Sequence, residues 1–100
     1  MERLTEDILK KHKFIKYLNA ENNKKIKDIS WMKNLKELYA GVDSEIDQMG
    51  IEELNLIKLK VNNNSKIKNV SWMKNLKELY ADGTCGIDQS LIKLSFGIIQ

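Results

Sequence analysis

The sequence has little of what most catalytic and metal sites are built from: its 100 residues include one histidine, His12, and one cysteine, Cys85. A single histidine excludes a metal cluster of several histidines within these residues. A single cysteine excludes an intrachain disulfide, and because an unpaired thiol suits a reducing compartment, we predict a cytoplasmic protein. No histidine lies near Cys85 in sequence to act as its base, so this thiol is expected to lie in the core or a turn.

Long apolar runs are missing as well. No stretch approaches the roughly 18–20 apolar residues of a membrane span, and the start, MERLTEDILKKHK, lacks the apolar segment of a secretory signal. The segment ADGTCGID has no lysine for a phosphate loop, and the chain has no glycine-rich dinucleotide signature. These absences predict a protein that is not an enzyme, has no cofactor and has no membrane as its partner.

Charge of one sign is not concentrated anywhere. The 17 basic and 14 acidic residues are interspersed and leave a net charge of +3. Nucleic-acid-binding surfaces are usually clustered and strongly basic, so nucleic acid is not the expected partner. Weak binding of nucleic acid or an acidic surface remains a third hypothesis, carried by eight lysines. These are Lys24, Lys25, Lys33, Lys36, Lys66, Lys68, Lys74 and Lys77.

What the chain does contain is a copy of itself. Residues 26–40 and 67–81 are identical except at Asp28/Asn69 and Ile29/Val70, with an offset of 41 residues. A period of this length is typical of stacked structural repeats. The copied text is therefore expected to be the part of each repeat that faces its neighbours.

A finer period lies inside the copy. Four nine-residue segments begin at Ile15, Leu35, Leu56 and Leu76, with apolar residues at places one, four and six. This alternation predicts a short strand with one buried face. At place nine, a side chain that hydrogen-bonds nearby backbone is expected to turn the chain out of the strand and to satisfy amides of the next segment. These side chains are Asn23, Asp43, Asn64 and Thr84, each followed three places later by an isoleucine.

The segments between the predicted strands carry an apolar residue at every third place, which suits a short helical or 3₁₀ turn with one inward edge. We call one strand and the segment that follows it a coil. No coil can bury its own apolar edge, so the coils must stack. The inward residues are Ile26, Ile29, Met32, Leu35 and Leu38, their copies Ile67, Val70, Met73, Leu76 and Leu79, and, less regularly, Ile46, Met49, Ile51 and Leu54.

The pattern LxxLxVxxNxxI, at Leu56–Ile67, resembles the leucine-rich repeat, and the tail IKNVSWMKNL is similar to the short repeats of internalins. The likeness covers residues 14 to 100. It implies an α/β fold: a short right-handed solenoid with parallel strands on the concave face and helical or 3₁₀ turns on the convex face. Proteins with this repeat generally bind other proteins through the concave face.

The whole chain, 1–100, is expected to be one repeat domain. Residues 1–13 are predicted to form a capping helix with Thr5 as its N-cap, and Glu6 and Asp7 suit its positive end. Residues 14–100 would then hold about four coils and the start of a fifth near Gly97–Gln100. The apolar end LSFGIIQ invites pairing with another chain. A self-associating structural module, or a fragment of a longer array, is therefore the alternative function.

The predicted partner-binding residues occupy places three and five of each strand, on the side opposite the buried leucines. They are Tyr17, Asn19, Glu37, Tyr39, Lys58, Lys60, Glu78 and Tyr80. One interpretation is a solvated sheet face whose opposite charges pair across strands. The other is a recognition surface, because tyrosine with mixed charge is a common interface composition. We predict the second, a non-enzymatic module that binds a protein partner.

Two further candidates are Trp31 and Trp72, which share one position in the copy. They are expected to pack over the apolar segments between strands, or alternatively to anchor a partner. Glu37 and Glu78 also share a position, but two strand spacings would place them about 10 Å apart, and acid/base pairs usually lie closer together.

Overall fold

Four short strands, each with a buried leucine at its centre, define the architecture in a computed structural model of the chain, which describes residues 5–12 and 14–87. The strands pair in chain order as one parallel sheet. They are β1 (Tyr17–Asn19), β2 (Glu37–Tyr39), β3 (Lys58–Lys60) and β4 (Glu78–Tyr80), with the helices α1 (Glu6–Leu9) and α2 (Gln48–Ile51). The described residues form a small α/β domain.

The predicted alternation in the strands is confirmed. Leu38 lies opposite Leu18 and Leu59 in the sheet, and Leu59 lies opposite Leu79. All four leucines are at most 3% exposed, whereas the residues on either side of each are partly or fully exposed. The spacing of 20 or 21 residues between equivalent positions therefore sets the register of the whole sheet.

The apolar residues at every third place between the strands are also buried, in both copies. Their backbone makes separate turns rather than a continuous helix: Met32 N–H donates to the Ile29 carbonyl at 2.9 Å, and Leu35 N–H donates to the Met32 carbonyl at 3.0 Å. Among the connections that the structure describes between strands, a helix occurs only between β2 and β3. A spacing of three thus places side chains inward without requiring a regular 3₁₀ helix.

The prediction that Met49 points inward is wrong, because its side chain is 73% exposed. Gly50 takes the inward position in α2, where its carbonyl accepts a hydrogen bond from Ile29 N–H at 3.1 Å. A Cβ atom at Gly50 would lie 2.2 Å from the Lys27 carbonyl oxygen. Two backbones therefore meet where the sequence pattern predicts a side chain.

The predicted polar turn is confirmed after β1, where the buried Asn23 accepts a hydrogen bond from Lys25 N–H at 2.8 Å, and after β3, but the residue predicted for the second turn is wrong. Asn64 is 4% exposed, and its Oδ1 accepts a hydrogen bond from Lys66 N–H at 2.9 Å. After β2 the equivalent residue is Ser44, which is 5% exposed and accepts from Ile46 N–H at 3.2 Å. Asp43 is exposed and has a positive φ of 53°, as Asn22 and Asn63 do immediately before the buried Asn23 and Asn64.

The Asn64 side chain also joins neighbouring coils, although it does so through carbonyls and not through amides as expected. The Asn64 side-chain amide donates to the carbonyls of Ala40 and Ile46, at 2.7 and 3.0 Å. Both carbonyls belong to the preceding coil. Thr84, by contrast, is exposed. Asn64 therefore ties two layers of the fold together in its interior.

The predicted N-cap at Thr5 is confirmed: its Oγ1 accepts a hydrogen bond from Ile8 N–H at 3.3 Å. Glu6 does more than face the positive helix end, since its Oε2 accepts from the backbone N–H groups of Lys27 and Asp28 at 2.9 and 3.0 Å. Gln48 in α2 repeats this contact with the backbone N–H groups of residues 68 and 69, at 2.7 and 2.8 Å. Each short helix thus fixes the backbone of the coil that follows.

The predicted ends of the domain lie only partly within the described residues. The helix expected over 1–13 spans four residues in the described part, and its buried side chain is Leu9. The fifth coil expected near Gly97–Gln100 lies outside the described residues. Within 5–12 and 14–87, neither helix has the length and apolar character that crossing a membrane requires.

Candidate functional site

The eight predicted partner-binding residues lie together on the open side of the sheet. The strand register arranges them in two rows that cross all four strands. The first row is Tyr17, Glu37, Lys58 and Glu78, and the second row is Asn19, Tyr39, Lys60 and Tyr80. Tyr17 and Asn19 are exposed and the other six are partly exposed. We call this surface the tyrosine–lysine face.

The first row contains an ion pair between neighbouring strands. Lys58 Nζ lies 4.0 Å from Glu78 Oε1, and the Tyr80 hydroxyl donates a hydrogen bond to the same oxygen at 3.0 Å. Hydrogen bonding to the Tyr39 hydroxyl, together with the charge of Glu78, raises the pKa of Lys58. The bond to Glu78 raises the pKa of Tyr80. The predicted charge pairing across strands is thus present between β3 and β4.

Aromatic rings hold the two lysines of this face. Lys60 Nζ lies 4.9 Å from the centre of the Tyr39 ring and 5.6 Å from that of Tyr80, and Lys58 Nζ lies 5.5 and 5.9 Å from the same two rings. Tyr17 packs edge-on against Tyr39, with ring centres 5.3 Å apart. Each cation–π contact at an exposed site contributes about 0.5–1 kcal/mol. The side chains of the face therefore brace one another.

The periodic pattern did not identify Ile57 as an exposed apolar residue. Ile57 immediately precedes β3, and its side chain is 38% exposed. It stands at place two of its segment, where the other three segments have lysine: Lys16, Lys36 and Lys77. That single apolar exception was the available signal. Ile57 is therefore an exposed apolar residue directly before Lys58 in the sequence.

The tryptophans pack as predicted, although their polar contacts differ. Both side chains are partly buried against the core. The Trp72 indole N–H donates to the Leu54 carbonyl at 2.9 Å, whereas that of Trp31 donates to the Asp28 carbonyl at 3.2 Å. An open groove of about 580 Å³ adjoins Trp31 and is also lined by Phe14, which is 80% exposed. A role for either tryptophan in anchoring a partner stays a prediction.

No group of three or more His, Cys, Asp or Glu side chains within 5–12 and 14–87 could hold a metal ion. His12 is exposed, and Lys58 lies on the strand between those of Glu37 and Glu78. Cys85 is partly buried against the core, and this burial raises the pKa of its thiol.

The raised pKa of Cys85 predicts slow alkylation of the folded protein. The thiolate is the reactive form, so a raised pKa leaves less of it at any given pH. We expect the rate with iodoacetamide to be lower in the native protein than in urea, and to keep rising beyond about pH 8.5, the ordinary pKa of cysteine. Mass spectrometry of the modified chain follows the rate. Identical pH profiles for native and unfolded protein would contradict the assignment.

Comparisons with protein-family models, with curated proteins and with solved structures give no significant match. The function is therefore argued from the tyrosine–lysine face and its surroundings.

Proposed function

We propose that the chain is a leucine-rich-repeat-like solenoid that acts as a non-enzymatic interaction module and binds a protein partner through the tyrosine–lysine face. Support for the solenoid comes from the parallel strands in chain order and from the inward residue at every third place. The contacts of Glu6 and Gln48 with the following coil support it further. In this architecture the face would be the concave side of the stack.

The observation that carries the binding function is the grouping of three tyrosines with paired and unpaired charges on one regular surface. Tyr17 and Tyr39 are in ring contact, and Tyr80 lies on the far side of Lys58 and Lys60. Tyrosine provides a large contact area with few rotatable bonds, which is why it is enriched at protein interfaces. Because the strands beneath are held by buried leucines, a partner would meet a surface that is already ordered.

The test compares wild-type protein with a Tyr39→Ala/Tyr80→Ala double variant as baits for proteins of the native cell. We expect the wild type to capture partner proteins and the double variant to capture at least about tenfold less of them. Truncating tyrosines at the centre of an interface removes much of the binding energy. Lys74→Ala, an exposed change outside the face, is the matched control. The purified partner's dissociation constant for each variant then completes the measurement.

The double variant keeps its buried leucines, so its circular dichroism and urea midpoint should stay close to those of the wild type. Equal capture by a folded double variant would contradict binding through this face. A mass that rises with concentration in light scattering, and that the double variant does not change, would instead favour the self-associating module.

Nucleic-acid binding through the eight lysines receives less support. Lys33 Nζ lies 2.6 Å from Glu53 Oε1, and Lys66 Nζ lies 3.1 Å from Glu45 Oε1. These ion pairs neutralise part of the positive charge that phosphates would need. Binding to duplex DNA that weakens steeply as the salt concentration is raised would favour this function instead.

A further inference from the structure

Lys58 and Lys60 stand on the same strand and the same face, but in different electrostatic surroundings. Lys58 already has a carboxylate, since its Nζ lies 4.0 Å from Glu78 Oε1. Lys60 Nζ lies between the Tyr39 and Tyr80 rings, and no carboxylate of the described residues approaches it within 4.0 Å. The rings position the Lys60 ammonium group and leave its charge unneutralised.

Glu37 is the complementary case among the acids of the face. Its neighbours in the first row are Tyr17 and Lys58, and its side chain is partly exposed. Within residues 5–12 and 14–87, its carboxylate forms no ion pair closer than 4.0 Å. Glu37 and Lys60 lie on adjacent strands, two residues apart along the strand direction. Strand spacing and rise place their Cα atoms about 8 Å apart.

A partner that covers this face removes water from both charges. An ion that is buried in an interface without an opposite charge costs far more than a pair does, and this cost selects against partners that leave it unpaired. Lys58 and Glu78 already neutralise each other, so they make no such demand. Lys60 and Glu37 each require an opposite charge from the partner, an acid for Lys60 and a base for Glu37.

We infer that the protein partner presents an acidic side chain to Lys60 and a basic side chain to Glu37, about 8 Å apart. This inference rests on the proposed function and specifies its partner chemistry. The acid would bind the Lys60 ammonium between the Tyr39 and Tyr80 rings by a charge-assisted hydrogen bond. A polyanion fits poorly, because its repeated negative charges would also meet Glu37 and Glu78. The four charges of the face sum to zero.

The probe is a phage-displayed library of random peptides, selected on the wild-type protein. Selected peptides are synthesised, and those whose binding weakens on Tyr39→Ala are taken as face binders. We expect face binders to contain an acidic and a basic residue, and their dissociation constants to rise at least about tenfold on Lys60→Gln and on Glu37→Gln. Lys74→Gln, an exposed change outside the face, should leave them unchanged.

A double-mutant cycle assigns the contact. Replacing the peptide's acid by its amide should weaken binding to the wild type but add little on the Lys60→Gln protein, because the interaction is already lost. Face binders that are indifferent to Lys60→Gln and Glu37→Gln would overturn the inference and leave the proposed function intact. Peptides that are indifferent to Tyr39→Ala and Tyr80→Ala alike would overturn both. Thermal unfolding of each variant shows that the fold is retained.

Discussion

Asn64→Ala is expected to lower the free energy of unfolding by about 3 kcal/mol, because it leaves several buried polar groups without partners. The Asn64 side chain donates to the carbonyls of Ala40 and Ile46 and accepts from Lys66 N–H, and the residue is 4% exposed. Alanine supplies none of these bonds. Urea unfolding followed by circular dichroism measures the change.

Asn69→Ala is the matched control, since its exposed side chain accepts a single hydrogen bond from Ser71 N–H at 2.8 Å. We expect it to cost less than about 1 kcal/mol. Asn64→Asp separates the roles further: it keeps the acceptor oxygen but turns a donor amide into a carboxylate facing two carbonyls. It should be at least as damaging as alanine. Equal effects at Asn64 and Asn69 would show that the buried contacts between coils contribute little.

The sheet is predictable from sequence because its determinants are local and repeat along the chain. A leucine flanked by polar residues fixes which side of a strand is buried, and the spacing of 20 or 21 residues fixes which leucines become neighbours. That spacing alone places Leu38 opposite Leu59. The same reasoning places Tyr39 and Lys60 side by side on the other face.

Contacts between coils, and the shift of the second turn residue by one place, could not be predicted from the sequence. Leu38 and Ile46 are eight positions apart, as Leu18 and Ile26 are, so nothing in the aligned text indicates that the buried turn residue after β2 is Ser44 rather than Asp43. The bonds from Glu6 to backbone N–H groups of residues 27 and 28 join segments about 20 positions apart. A local pattern carries no signal for them.

The candidate site likewise has features that the sequence predicts and features that only the structure shows. Periodicity identifies all eight members of the tyrosine–lysine face, but it does not distinguish Lys58 from Lys60. That distinction depends on side-chain rotamers and on distances of a few ångströms to Glu78 and to the tyrosine rings. The binding proposal therefore draws its location from sequence and its chemical specificity from structure.

Gly50→Val is expected to lower the free energy of unfolding by about 3 kcal/mol, because the position has no room for a side chain. A Cβ atom there would lie 2.2 Å from the Lys27 carbonyl oxygen and 3.3 Å from its carbon. Both are backbone atoms, so relief requires the two coils to separate. Separation would break the hydrogen bond from Ile29 N–H to the Gly50 carbonyl at 3.1 Å and loosen the packing around Ile51.

Met49→Val is the control, because Met49 is the adjacent residue of the same short helix and is 73% exposed. It introduces the same β-branched side chain and should change the free energy of unfolding by less than about 1 kcal/mol. Intrinsic helix propensity favours valine over glycine and methionine over valine, so it would by itself make Gly50→Val the less destabilising of the two changes. A larger loss at Gly50 in urea therefore reports the close approach of the two backbones. If Gly50→Val were no more destabilising than Met49→Val, the coils would not be in contact at this point, and the stacking on which the interaction surface depends would be in error.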